Sequence, residues 1–332
     1  MVPVYRIPWY NALLVSVVIV SEESIVHAVK TSVLPLWRTL PNPVRGLIRT
    51  MRPTQWTKNG FVFAGILFDR KLTDPDALAH VLAAFALLCL VASTIYIIND
   101  LVDIERDRLH PRKRKRALPS GQLPVSWAKT AAVMFPLIAL GTSLLLTPAF
   151  TLVLAIYLVL HIAYSFRLKN VVIIDVFAIA AGFVLRLVAG VVVIDVTNFS
   201  PWLYVCAGLL ALFLAIGKRR QELILLADNA EDVRATYKDY NMPLLDDMLR
   251  MVTTGSVLTY MLYTIEAQTI QSNGYRMMAT IPLVVYGIFR YLYLIHVRGE
   301  GSAPDELLFK DPPLLLTVVL YGLTAAAILY VL

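Results

Sequence analysis

The sequence has little charge for its length. Only 16% of its 332 residues are Asp, Glu, Lys or Arg, whereas 58% are hydrophobic and the mean hydropathy is +0.68. Soluble domains are usually about one-quarter charged and about half apolar. This composition argues against a soluble enzyme and predicts an integral membrane protein.

Cysteine is also scarce, with Cys89 and Cys206 as its two occurrences. Both lie within apolar runs, and neither has another Cys or a His at the spacing of a metal site. We therefore expect buried free thiols, without a disulfide framework. His161 lacks such neighbours too, which favours a hydrogen-bonded helix histidine over a metal ligand.

The net charge of +7 comes from basic residues that lie between the apolar runs. One side of the predicted membrane domain receives most of them, which is the positive-inside distribution of a multi-pass protein. This distribution argues against nucleic-acid binding. It predicts a protein of the cell (inner) membrane whose N-terminus and long loops are cytoplasmic.

Apolar runs of helical length predict an all-α integral membrane protein with nine membrane-spanning helices. The predicted segments are 55–69, 77–98, 126–146, 149–165, 171–194, 200–217, 248–268, 278–297 and 312–331. We expect one catalytic domain at 46–332, preceded by an extension at 1–45. In that extension NALLVSVVIV is too short to span a bilayer, and we interpret it as an interfacial helix.

Acids and bases stand side by side in IYIINDLVDIERDRLHPRKRKR, residues 95–116. On a helix of about 100° per residue, Asp100, Asp103 and Asp107 would share one face. Three carboxylates on one face repel one another, and no lysine on that face would relieve them. Mg²⁺ would, because it prefers carboxylate oxygens together with substrate phosphates.

We therefore predict a metal–phosphate site at this stretch. The three aspartates are the predicted Mg²⁺ ligands, and Asp100, Asp103 and Asn99 are the predicted catalytic residues. Asn99 would hold a ligand hydroxyl or a metal-bound water. The alternative for the acids is a solvated helix end.

The basic run HPRKRKR after these acids has two interpretations. Lys113 and Arg116 are predicted to bind phosphate oxygens, as ammonium and guanidinium groups do. Alternatively, the run anchors the chain on anionic lipid. With the first interpretation, the acids hold the cation and the bases hold the anion of one metal–phosphate substrate.

A second polar region is YSFRLKNVVIIDVFAIAAGFVLRLVAG, at the end of the fourth predicted segment. Asp175 and Arg186 lie in an apolar run, about 16 Å apart on a straight helix. Intramembrane charges are costly and usually face a bundle interior or a cavity. We predict that both residues bind substrate together with Tyr164 and Lys169; a buried structural ion pair is the alternative.

A third polar region, AIGKRRQELILLADNAEDVRATYKDY, follows the sixth predicted segment. Its predicted substrate-binding residues are Lys218, Arg219 and Arg234. The length of the loop and its aromatic residues Tyr237 and Tyr240 favour an ordered cap on the cytoplasmic side. A solvated loop is the alternative.

NDxxDxxxD and the polar second motif together resemble the UbiA-type superfamily of intramembrane prenyltransferases, over about residues 45–332. Six further stretches are similar to the decaprenyl-phosphate phosphoribosyltransferases of this superfamily: MRPTQWTKN, YSFRLK, GFVLRLVAG, GKRRQE, IFRYLYLI and PDELLFKDPPLLL. One departure is Ala117 in RALPSG, where the superfamily has proline.

This resemblance implies nine transmembrane helices around a central cavity with a cytoplasmic cap. It also implies Mg²⁺-dependent transfer of a 5-phosphoribosyl group from phosphoribosyl diphosphate to a polyprenyl phosphate, with release of diphosphate. Lys58 and Asn59 of MRPTQWTKN are then predicted to bind substrate. Lys169 stands where aromatic prenyltransferases carry acids, which favours direct phosphate binding over a second metal.

Two other functions compete with this one. A UbiA-type aromatic prenyltransferase would consume a prenyl diphosphate instead. A transporter would use Asp175 and Arg186 on an ion path, although the internal repeat typical of transporters is only loosely echoed. The expected partners are the two substrates and the bilayer, without nucleic acid, and the sequence leaves a homo-oligomer open.

Overall fold

The computed structural model describes residues 39–110, 113–194, 196, 200–226, 235–266, 269, 274–301 and 304–331. Every regular element in these ranges is helical, as predicted. The α-helices are α1 Asn42–Met51, α2 Ala64–Phe68, α3 Pro75–Val102, α4 Ile104–Leu109, α5 Val125–Ser143, α6 Pro148–Phe166, α7 Ile174–Val193, α8 Pro201–Leu226, α9 Met242–Ile265, α10 Ile281–His296, α11 Pro304–Lys310 and α12 Pro312–Tyr330. The 3₁₀ helices are Pro53–Phe63, Lys113–Lys115, Leu168–Asn170, Ala235–Lys238 and Arg276–Thr280.

Seven of the described helices are long and apolar enough to cross a membrane, which makes the protein a multi-pass membrane protein. They are Pro75–Val102, Val125–Ser143, Pro148–Phe166, Ile174–Val193, Pro201–Leu225, Arg276–His296 and Pro312–Tyr330. The count of nine is not confirmed. The predicted segment 55–69 is a 3₁₀ helix followed by the short α2, and 248–268 falls largely in α9, whose first turns carry Asp246, Asp247 and Arg250.

The structure describes only the last part of the predicted N-terminal extension 1–45. Residues 1–38, which include the proposed interfacial helix, lie outside the described residues. Helix α1 begins at Asn42, inside the predicted extension 1–45, with Pro43 in its first turn. It ends at Met51, and the C-cap residue Arg52 adopts a left-handed conformation with φ of 54° before Pro53 starts the 3₁₀ helix.

Glycine lets the 3₁₀ helix Pro53–Phe63 pack with its backbone directly against α7. A Cβ atom on Gly190 would lie 1.9 Å from the carbonyl oxygen of Val62. A Cβ atom on Gly65 would lie 2.9 Å from the carbonyl oxygen of Gly190. Both distances are too short for a side chain, so the close approach requires glycine. This contact places the 3₁₀ helix, with Lys58 and Asn59, against the helices of the bundle.

The helix that carries the first acidic motif is interrupted within the motif. Helix α3 ends at Val102, and Asp103 is its C-cap with φ of −92° and ψ of 6°. Helix α4 starts at Ile104. The sequence predicts one continuous helix through the three aspartates, whereas the structure divides it at Asp103, although the backbone N–H of Asp107 still donates to the Asp103 carbonyl at 2.8 Å.

Candidate active site

The C-terminus of α1 brings a cation onto the first aspartate of the acidic motif. Arg52 Nη2 donates a hydrogen bond of 2.7 Å to Asp100 Oδ1. The Arg52 guanidinium also lies 4.8 Å from the ring centroid of Tyr96. A left-handed backbone at a residue other than glycine costs about 1–3 kcal/mol, so the surrounding contacts must hold Arg52 in place.

The basic run folds back onto the acids that precede it. Arg116 Nη1 lies 3.3 Å from Asp100 Oδ1 and 2.6 Å from Asp107 Oδ2, and Lys113 Nζ lies 3.7 Å from Asp107 Oδ1. Asp100 and Asp107 are buried, whereas Arg116 and Lys113 are about half-buried. The carboxylate repulsion is thus relieved from outside the helical face of the aspartates, because the turn Lys113–Lys115 returns Lys113 and Arg116 to this cluster.

Asp100 and Asp107 form side-chain ion pairs in the cluster, whereas Asp103 takes part in the helix through its backbone. Asp103 accepts a 2.8 Å hydrogen bond from the backbone N–H of Asp107 through its own carbonyl, while its N–H donates to the carbonyl of Asn99. In the described part of the chain, no three Asp, Glu, His or Cys side chains are grouped so that they could hold a metal ion. Asp100 and Asp107 both contact Nη1 of Arg116, which shows that a single positively charged group can contact both carboxylates at once. Two carboxylates that leave room for substrate phosphates suit Mg²⁺.

The second polar region is built around a buried ion pair. Arg219 Nε donates a hydrogen bond of 2.8 Å to Asp175 Oδ2, and both side chains are almost fully buried. Arg219 also donates to Glu222 Oε2 at 2.7 Å and to Tyr164 Oη at 3.3 Å. The Tyr240 hydroxyl donates to Asp175 Oδ1 at 2.7 Å. Both carboxylate oxygens of Asp175 are thus engaged, and its buried ion-pair partner is Arg219 instead of Arg186.

Residues 235–240 pack against this ion pair, as expected of an ordered cap. Tyr237 and Tyr240 are both buried, and the Tyr237 hydroxyl donates to Glu222. Tyr240 Oη accepts a 2.8 Å hydrogen bond from the backbone N–H of Ile173, which has an unusual φ of 69°. Burial, and then the hydrogen bond to the Asp175 carboxylate, raise the pKa of Tyr240, so this hydroxyl stays protonated.

The lysines that were predicted to bind substrate are all half-buried. Lys58 Nζ donates to Gln55 Oε1 at 2.6 Å, and Lys218 Nζ lies 3.8 Å from Glu222 Oε1. Lys169 lies in the 3₁₀ helix Leu168–Asn170, which precedes α7. Arg234 lies outside the described residues.

Arg186 lies inside the bundle among neutral groups. Its Nε donates to Asn59 Oδ1 at 2.8 Å, its Nη1 to the Gly182 carbonyl at 2.9 Å and its Nη2 to Tyr157 Oη at 2.5 Å. The guanidinium lies 4.8 Å from the ring centroid of Tyr157 and 5.1 Å from that of Phe183. Arg186 therefore does not pair with Asp175. Nothing in the local sequence pattern singles out Tyr157, which stands in an ordinary apolar run.

Comparison with known proteins places the chain in a family. The sequence model of the UbiA prenyltransferase family matches residues 60–310. The chain belongs to the UbiA prenyltransferase family. This confirms the resemblance inferred from the motifs at Asp100 and Asp175.

Two relatives in this family are similar over most of their length. The chain is 32% identical over 276 residues to the decaprenyl-phosphate phosphoribosyltransferase of Corynebacterium glutamicum, covering 81% of this chain and 82% of the relative. It is also 32% identical over 308 residues to the decaprenyl-phosphate phosphoribosyltransferase of Mycolicibacterium smegmatis, covering 87% of this chain and 94% of the relative.

A solved structure confirms the UbiA fold of this chain. It is that of a UbiA homolog from Archaeoglobus fulgidus bound to DMAPP and Mg²⁺, with a TM-score of 0.65 and 20% sequence identity. The match covers 86% of this chain and 99% of the homolog. At this identity, the likeness establishes the shared architecture.

Proposed function

We propose that this UbiA-family protein transfers a 5-phosphoribosyl group from phosphoribosyl diphosphate to a polyprenyl phosphate and releases diphosphate. The observation that carries the proposal is the cluster of two buried carboxylates, Asp100 and Asp107, with Arg52, Arg116 and Lys113 around them. Groups of both signs in one place suit a substrate that is a metal–diphosphate complex. Similarity to decaprenyl-phosphate phosphoribosyltransferases over most of the chain supports the choice of donor and acceptor.

Asp100 and Asp107 would hold Mg²⁺ together with oxygens of the donor diphosphate. Asp103 stays a predicted ligand, and Asn99 is proposed to bind a ribose hydroxyl or a metal-bound water. When bound, Mg²⁺ neutralises the charge that develops on the leaving diphosphate. Arg52 and Arg116 would hold the same diphosphate oxygens through paired N–H groups.

The transfer step does not depend on strong general acid–base catalysis. A phosphate oxygen of the acceptor forms a bond to ribose C1, while the bond from C1 to the diphosphate oxygen breaks and diphosphate leaves with the electron pair. The acceptor is already an anion at neutral pH, so no strong general base has to remove a proton. The ribose becomes oxocarbenium-like in the transition state, and a nearby carboxylate would stabilise that charge.

The second polar region would complete the phosphate-binding surface. Asp175 and Arg219 neutralise each other, so we propose that they position Tyr164 rather than bind a free phosphate. Lys169 and Lys218 are the proposed direct phosphate contacts of this region. Lys58 would serve the same purpose beside Asn59 on the 3₁₀ helix.

We further propose one catalytic domain over residues 46–332, with the site loops on the cytoplasmic side. Phosphoribosyl diphosphate is water-soluble and would reach the loops from the cytoplasm. The hydrocarbon tail of the acceptor would lie between helices, in contact with the bilayer. The basic loops and the acidic motif then meet both substrates at the same membrane surface.

The proposal is tested with the purified full-length protein in lipid nanodiscs. Labelled phosphoribosyl diphosphate, a polyprenyl phosphate and Mg²⁺ should yield a labelled lipid, and removal of divalent cations with EDTA should abolish it. Formation of a prenylated aromatic product from a prenyl diphosphate, unaffected by phosphoribosyl diphosphate, would favour the aromatic prenyltransferase. Ion flux in proteoliposomes without any lipid product would favour the transporter.

A further inference from the structure

Arg186 is a buried cation deep within the helical bundle. It lies 11 residues after Asp175 on α7, about 16 Å further along the helix. The residue is 7% exposed, and its three hydrogen-bond acceptors, Asn59, Gly182 and Tyr157, are all neutral. No Asp or Glu of the described residues forms a salt bridge with it.

Other arginines of the membrane-spanning helices are arranged differently. Arg219 contacts Asp175, Arg220 contacts Asp246 at 2.6 Å and Arg290 contacts Asp311 at 2.8 Å. A guanidinium in a low-dielectric interior is costly without an anion, and the aromatic faces beside Arg186 offset only part of this cost. An intramembrane cation that lacks a protein anion is a candidate for binding an anionic ligand.

Arg52 at the diphosphate site and Arg186 each lie against the ring of a tyrosine. Arg52 contacts Asp100 and lies over the ring of Tyr96. Arg186 lies over the ring of Tyr157 and donates a hydrogen bond to its hydroxyl.

We propose that Arg186, Tyr157 and Asn59 form a binding site for a phosphate monoester, separate from the diphosphate site at Asp100. This site deepens the proposed function and rests on it, since both proposed substrates carry a phosphate monoester. In the donor it is the 5-phosphate, and in the acceptor it is the lipid phosphate. A guanidinium has five N–H groups, of which three make the hydrogen bonds above, so two N–H groups of Arg186 can pair with phosphate oxygens.

With the donor 5-phosphate as its occupant, the same site would act in donor selection. A donor with anionic groups at both ends places one at Asp100 with its metal and the other at Arg186. A prenyl diphosphate has one anionic end, and its hydrocarbon chain would meet the buried guanidinium instead. Desolvating a cation against a hydrocarbon is unfavourable, so Arg186 would disfavour prenyl diphosphates.

The test uses the full-length protein and the variants Arg186→Met and Tyr157→Phe. Tyr260→Phe is the matched control, because Tyr260 is also a buried tyrosine whose hydroxyl bonds to a side chain, Thr280. The shift in unfolding temperature is measured with ribose 5-phosphate and with a short-chain prenyl monophosphate. KM is then measured for both substrates, and binding of Mg²⁺–diphosphate is measured by calorimetry.

We expect at least one phosphate monoester to stabilise the wild type, and Arg186→Met to abolish that stabilisation. KM for the matching substrate should rise by about 10- to 100-fold, the range for loss of a charge-assisted hydrogen bond. Binding of Mg²⁺–diphosphate should stay within about twofold, and Tyr260→Phe should match the wild type in all these measurements. If Arg186→Met loses the stabilisation by ribose 5-phosphate and raises KM for the donor, the site binds the 5-phosphate of the donor. If it loses the stabilisation by the prenyl monophosphate and raises KM for the acceptor, the site binds the lipid phosphate.

A lowered unfolding temperature, with both KM values and the ligand stabilisation unchanged, would overturn the proposal and leave Arg186 a structural role. If Arg186→Met does not fold, the variants Tyr157→Phe and Arg186→Lys are measured in its place. Stabilisation of both variants by the phosphate monoesters at the wild-type level would also overturn the proposed site. A wild type that binds ribose 5-phosphate through Arg186 but forms no phosphoribosyl lipid would reject the proposed function and keep the site. An active enzyme that is indifferent to the loss of Arg186 would reject the site alone.

Discussion

Arg219 and Asp175 form a 2.8 Å hydrogen-bonded ion pair in which both side chains are nearly inaccessible to solvent. The pair joins α8 to the start of α7, and the Tyr240 hydroxyl binds the second oxygen of Asp175. A charge in such a place is tolerated because its partner is fixed by other contacts, here Glu222 and Tyr164 around Arg219.

Replacing one member of this ion pair should destabilise the protein more than replacing both members together. Asp175→Asn leaves the Arg219 charge less compensated and should lower the free energy of unfolding by about 3–5 kcal/mol. The double variant Asp175→Asn with Arg219→Met should recover part of this loss. Thermal unfolding of the single and double variants in the same detergent measures the difference. A double variant that is as unstable as the sum of the two single variants would contradict the coupling of this pair.

The contact between the 3₁₀ helix Pro53–Phe63 and α7 predicts that alanine substitutions at two glycines differ strongly in their effect on stability. Gly190→Ala places a methyl group 1.9 Å from the Val62 carbonyl oxygen, so the helices must separate, at a cost of about 1–3 kcal/mol or more. Gly141 in α5 has no atom within 4 Å of the added carbon, and Gly141→Ala should be neutral or slightly stabilising. Unfolding temperatures check both, and equal effects of the two substitutions would argue against the close packing at Gly190.

The ion pair between Arg290 and Asp311 predicts that the stability of the fold decreases at acidic pH. Arg290 donates to both carboxylate oxygens of Asp311, at 3.1 and 2.8 Å, and this hydrogen bonding lowers the pKa of Asp311. The unfolded chain binds this proton at a higher pH, near 4, so the stabilisation is present above about pH 4 and is lost as the pH falls through the folded pKa.

Asp311→Asn removes this titration and keeps an oxygen that can accept from the N–H of Leu314 at the start of α12. The wild type should therefore be more stable than the variant above about pH 5, with the gap closing under more acidic conditions. Unfolding temperature measured as a function of pH tests this. A gap that stays constant across the acidic range would mean that the ion pair does not stabilise the fold.

The membrane class, the helical architecture and the position of the acidic motif were predictable, because each depends on local composition or spacing. The apolar runs give the helices, and the run from Ile95 to Arg116 places acids and bases close together along the chain. The break at Asp103 was not predictable from periodicity, since the motif satisfies a helical spacing. The count of nine spans is not confirmed for a related reason, because an apolar run does not reveal that Pro53 begins a 3₁₀ helix.

The contacts that define the site are mostly long-range. Arg52 is 48 residues from Asp100, Arg219 is 44 from Asp175 and Arg186 is 127 from Asn59. Such pairs depend on how the helices cross, which hydrophobic periodicity does not specify. Tyr157 therefore shows its role only when the fold brings it to Arg186.

The most direct test of the central claim is the initial rate of labelled phosphoribosyl transfer to polyprenyl phosphate in the variants Asp100→Asn and Asp107→Asn. Asp76→Asn is the control, because Asp76 is an exposed acid at the other end of α3. Both variants at the cluster should lose at least about a hundredfold in rate, on the scale of losing a main electrostatic stabiliser, while the control keeps wild-type activity. Wild-type rates in Asp100→Asn and Asp107→Asn would contradict the assignment of the Mg²⁺–diphosphate to these two carboxylates.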